Sequence, residues 1–107
     1  MFSFFKTQKK YATVPAAEFK RLLDGTPAVL LDVRTPGEFR QNTLKGAINI
    51  DVRDGSFAEQ TANLDKSKTY LVYCQSGMRS GKACEYLADK GFTNLYNLSG
   101  GLSGWPY

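Results

Sequence analysis

The stretch TYLVYCQSGMRSGKACEYLADKGF, residues 69–92, decides the fold. Its first five residues are β-branched and aromatic and predict a strand over residues 69–73. From residue 80 to 90, Ala83, Cys84, Leu87 and Ala88 share one face at helical spacing and predict a helix, which Gly91 ends. Between the two lies a short loop, CQSGMRS, that runs from the strand straight into the helix.

The same alternation continues outward. Upstream, residues 28–33 (AVLLDV) form an apolar run broken by one acid, the pattern of a strand buried on both faces. Thr35-Pro36-Gly37-Glu38 follows, with the N-cap, first-turn proline and third-position acid of a capping box, so a short helix is expected over residues 36–41. Residues 46–50 (GAINI) predict a further strand, and Ser56 to Glu59 a second capping box opening a brief helix to about Asn63. Nearer the start, residues 11–13 fit a short edge strand, and Phe19, Leu22 and Leu23 give residues 15–24 a helical stripe that Gly25 stops. Downstream, residues 93–98 predict the last strand, with a turn at Ser99-Gly100-Gly101. Strands alternating with helices imply an α/β fold: three layers, α/β/α, around a central, mostly parallel five-stranded sheet. Residues 1–10 read as a lead-in and residues 11–107 as one domain.

Composition narrows the chemistry. The 107 residues are 42% hydrophobic, enough for one core. The net charge is +4, and Lys6, Lys9 and Lys10 supply most of it. That is no broad basic stripe, so nucleic acid is not expected as a partner, although a small anion suits the balance. The two cysteines, Cys74 and Cys84, stand without any histidine. A Cys/His zinc site and every histidine-based triad are therefore excluded, and no cofactor is expected. With this much core the chain does not read as a disulfide scaffold. The opening MFSFFKTQKK has too short an apolar run for a secretory signal, and no stretch approaches a membrane span, so a cytoplasmic monomer is expected.

Any nucleophile must then be activated without imidazole. Cys74 sits beyond the carboxyl end of a predicted strand, where open α/β folds bind ligands. The loop after it leads into a helix whose first N–H groups lack intrahelical partners and can face an anion. A nest of successive amides adds to this. Both effects lower a cysteine pKa. Gly77 can supply a positive φ for the tight curve, and small Ser76 leaves room for a ligand.

Four segments in order resemble the single-domain rhodanese family: LLDVRTPGEF (residues 30–39), LKGAINI (44–50), YCQSGMRSGKACEYLADKGF (73–92) and NLYNLSGGLSGW (94–105). The resemblance covers nearly the whole chain. It implies a sulfurtransferase in which Cys74 takes a sulfane sulfur from a small anionic donor such as thiosulfate, forms a persulfide, and passes the sulfur to cyanide, a thiol or a protein thiol. The amides of Gln75, Ser76, Gly77, Met78 and Arg79 would hold the transferring group. Asp32 and Arg34 would form a pair near the rim that mostly organises neighbouring loops, and Arg34 would also help attract the anion. Gly100, Gly101 and Trp105 would shape the adjacent wall. Where members commonly carry His-Ile, this chain has Thr43-Leu44.

Two rival functions stand beside this one. A carrier or docking module would form the persulfide without turning over. A phosphatase or arsenate reductase of related fold would use Cys-x5-Arg, whereas residues 74–79 here are Cys-x4-Arg. By the resemblance, the shorter loop suits one extra sulfur atom better than a tetrahedral oxyanion. Cys84, on the apolar helix face, reads as core rather than as a resolving thiol.

Overall fold

A computed structural model describes residues 10–107; the expected lead-in lies outside them apart from Lys10. Five strands, β1 (Ala12–Val14), β2 (Val29–Asp32), β3 (Ile48–Asn49), β4 (Thr69–Tyr73) and β5 (Asn94–Leu98), form one sheet in the order β1-β5-β4-β2-β3. Every pairing is parallel. The helices α1 (Ala16–Gly25), α2 (Pro36–Gln41), α3 (Phe57–Ala62) and α4 (Met78–Asp89) supply the crossovers, and a 3₁₀ turn, Gly101–Gly104, follows β5.

Period-two alternation along β4 sorts its side chains to opposite faces. Tyr70, Val72 and Cys74 join Phe57 of α3 and Ala83, Cys84 and Leu87 of α4. Leu71 and Tyr73 join Phe19 and Leu22 of α1, with Trp105 packed against them. Both faces of β4 are thus covered, which is why Tyr70 to Tyr73 run on without an alternating charged or amide residue. The architecture is the expected three-layer α/β/α. Among the described residues no helix is long and apolar enough to cross a membrane.

Local signals were met unevenly. The Thr35 capping box forms: Glu38 N–H donates to Thr35 Oγ1 at 3.2 Å while Thr35 N–H donates to Glu38 Oε1 at 3.2 Å. The expected box at Ser56 does not. Asp54 closes an Asx turn, accepting from Ser56 N–H and Ser56 Oγ at 2.9 Å each, and Ser56 Oγ accepts from the Gln60 side-chain amide at 2.7 Å instead of from a first-turn backbone N–H. Gly25 is the last helical residue rather than a left-handed stop, and an extended Thr26 ends α1 by donating to Leu22 O. The third strand shrinks to two residues. Helix α4 begins two residues earlier than its apolar stripe indicates, because its N-cap is Gly77 at φ 99°.

Candidate active site

Strand β4 delivers Cys74 to its carboxyl end between β5 and β2, and Gly77 turns the chain there. A Cβ at Gly77 would lie 3.2 Å from Gly100 N and from Leu98 O, so both the positive φ and the close approach call for glycine. The curve points amides back at the sulfur. Gly77 N–H donates to Cys74 Sγ at 3.1 Å and Ser80 N–H at 3.4 Å, while Ser80 Oγ lies at 3.3 Å. The Ser76 amide joins them. Cys74 is fully buried. Burial pushes its thiol pKa up, but the hydrogen bonds from Ser80, Gly77 and Ser76 outweigh burial and hold it below the ordinary cysteine value. The α4 dipole, with its positive end at the sulfur, acts in the same direction.

Ser80 is a residue the sequence reading missed. Its hydroxyl also contacts Asn97 Oδ1. Asn97 Nδ2 in turn donates to Thr13 Oγ1 and Gly77 O, both at 3.3 Å, which turns the amide oxygen toward Ser80. One hydroxyl proton thus faces two acceptors, the Cys74 sulfur and the Asn97 amide oxygen.

The loop is braced on two sides. From beneath, the 3₁₀ turn caps it: Leu102 N–H donates to Cys74 O and Ser103 N–H to Gln75 O, each at 3.0 Å. Gly101 sits directly against these peptides. From the side, Arg79 forms a two-pronged pair with Glu38, Nη1 to Oε1 at 2.7 Å and Nη2 to Oε2 at 2.9 Å. That pair, reinforced by the Thr35 donors, lowers the Glu38 pKa to about 2. Glu38 therefore does more than cap α2, the role its motif indicated; it ties α2 to the start of α4.

Arg34 lies inside the molecule, with its side chain 1% exposed. Nε and Nη2 bind Asp32, Nη1 donates to Gln75 Oε1 at 3.3 Å, and Nη2 reaches Asn42 O. It is an internal strut between β2 and the loop. Gln75 Nε2 donates to Ser103 Oγ, so both ends of that side chain are tied. Met78 and Ser76 are the exposed members of the predicted set. Thr43, where a histidine was the common choice, bonds Asp32 Oδ2 at 3.2 Å and Tyr73 Oη at 2.6 Å, completing a polar brace under β2. Trp105 packs edge-on against Phe19 at 5.9 Å between centroids, a core contact rather than a substrate platform. Cys84 is buried within the core, which pushes its thiol to about 12, and both cysteines are free.

The sequence profile of the rhodanese-like domain matches residues 15–106. The chain belongs to the rhodanese-like domain family. The thiosulfate sulfurtransferase PspE of Escherichia coli is 40% identical over 70 residues, which span 65% of this rhodanese-like chain and 67% of that protein. A tRNA uridine(34) hydroxylase of Cytophaga hutchinsonii is 38% identical over 89 residues, covering 80% of this chain and 28% of that longer protein. Among solved structures, a rhodanese-like domain protein from Staphylococcus aureus superposes with a TM-score of 0.77 at 27% identity, covering 88% of this chain and 90% of its own. The rhodanese-like fold is thus shared by proteins carrying different names, and the reaction has to be argued from the loop.

Proposed function

We propose that this rhodanese-like domain is a sulfurtransferase working through a Cys74 persulfide. The observation that carries this reading is the convergence of amide and hydroxyl donors from Ser76, Gly77 and Ser80 on one cysteine sulfur. In the first half-reaction the Cys74 thiolate attacks the outer sulfur of a donor such as thiosulfate. The donor's S–S bond breaks, sulfite leaves with the electron pair, and Cys74 carries one added sulfur. In the second, an acceptor thiolate or cyanide attacks that sulfur and Cys74 departs as thiolate. The same donors stabilise the leaving thiolate and the anionic persulfide, so both halves draw on one preorganised set of dipoles. The similarity to a thiosulfate sulfurtransferase supports this choice of donor.

Incubation with thiosulfate should add about 32 Da, one sulfur atom, at Cys74 and release sulfite. A protein whose mass stays unchanged and which yields no sulfite would overturn the reading.

Ser80→Ala gives a pH-dependent test. The thiolate is the nucleophile, so loading slows as pH falls through the Cys74 pKa. Removing a donor to the charged sulfur raises that pKa, and the fall-off moves to higher pH. At neutral pH, loading should drop about tenfold, the scale of one hydrogen bond to a charged group. The measurement is the loading rate against pH for both proteins. An unmoved profile means the two backbone donors and Ser76 suffice alone.

A further inference from the structure

We propose that the hollow flanking the Cys74 loop binds a small organic thiol or persulfide bearing carboxylates, with Arg53 and Lys82 holding those carboxylates. This rests on the sulfurtransferase reading, since the ligand is the molecule that exchanges sulfur with Cys74.

The hollow measures about 710 Å³, within the range of small organic ligands and far more than an inorganic anion needs. Gln75 and Ser76, the two residues after Cys74, both line it, and the Ser76 amide bonds the Cys74 sulfur. Arg53, Arg79 and Lys82 all line it, and no carboxylate does. Arg79 is committed to Glu38. Arg53 and Lys82 make no ion pair among the described residues, leaving two cations without counter-charge. Asp51 accepts the Arg53 backbone N–H at 2.9 Å, and neither it nor Glu38 is part of the lining. Val52 and Met78 supply apolar surface, and Met78 is 73% exposed. Two unpaired cations around an apolar floor match a short peptide-like molecule with carboxylates and a methylene-borne sulfur.

The exchange balances without a further reagent. The bound thiolate RS⁻ attacks the outer sulfur of Cys74–S–SH, a new S–S bond forms, the old one breaks, and the products are RS–SH and the Cys74 thiolate. Run in reverse, the same site accepts an organic persulfide as donor.

S-methylglutathione, an unreactive thioether with two carboxylates, is the binding probe. Titrated into the intact protein, it should shift the amide resonances of residues 52, 53, 78 and 82 saturably, and its dimethyl ester should bind about tenfold more weakly. Absence of saturable shifts, or equal binding of the ester, overturns the proposal. This readout needs no turnover, so it is decided even if thiosulfate fails to load Cys74. For the persulfide form, the KM for glutathione divided by that for 2-mercaptoethanol should rise about tenfold in the double variant Arg53→Gln/Lys82→Gln. Lys90→Gln, at the far end of α4, should leave the ratio as it was. A ratio that does not respond to the double variant also overturns the assignment of these two side chains.

Discussion

Cys74→Ser should take up no sulfur from thiosulfate, and turnover should fall by at least about ten-thousandfold, the scale of losing an essential nucleophile. A serine hydroxyl is not ionised near neutral pH, so the donors on Ser76, Gly77 and Ser80 would face an atom that carries no charge. The fold should survive, because oxygen replaces sulfur at a site already lined by hydrogen-bond donors. Circular dichroism and the urea midpoint report the fold; mass spectrometry and sulfite release report the chemistry. Sulfur uptake by the serine variant would place the nucleophile elsewhere. Cys84 is the other thiol, and burial at about 12 makes it a poor substitute.

The second large effect is on stability. Gly101→Ala should cost about 3–5 kcal/mol, near the upper end for a point change. An added Cβ would lie 2.5 Å from Cys74 O, Gln75 C and Gln75 O. These are backbone atoms of a braced loop, which cannot swing aside as a side-chain tip would. Gly101 also sits at φ 57°, where alanine is strained. The turn must therefore lift, breaking the bonds from Leu102 N–H and Ser103 N–H to the loop. Gly104→Ala is the matched control, since its Cβ would meet open space. Urea unfolding of both variants checks this. A Gly101→Ala midpoint equal to that of the control would show that the turn yields cheaply and does not brace the loop.

The sequence was most informative where structure is local. The bounds of β4 and α2 follow from β-branched and aromatic residues in one and from Thr35, Pro36 and Glu38 in the other, all within one element. The placement of Cys74 was legible because strand, glycine loop and helix are contiguous. What stayed hidden depends on pairs distant in the chain. Glu38 and Arg79 are 41 residues apart, as are Arg34 and Gln75, and neither spacing leaves a periodic trace. Arg34 looked like an exposed rim cation because a charged residue at a strand end normally faces water; its burial depends on Asp32, Asn42 and Gln75 converging on it. Ser80 was taken as the first residue of a helix. Only the left-handed Gly77, by starting α4 early, brings its amide and hydroxyl over the sulfur.

The pairing of β1 with β5 sets an order of events in folding. Thr13 meets Asn97 across 84 residues, and β5 is followed at once by the turn that braces the Cys74 peptide. Contacts of such long range close slowly, after local helices and hairpin-scale segments have formed. β5 docks on the neighbouring β4, and Ser80 meets Asn97 across only 17 residues, so what waits for β1 is the Thr13 hydroxyl that orients the Asn97 amide. Closure of the sheet edge by β1 therefore completes the surroundings of Cys74 last, through Asn97.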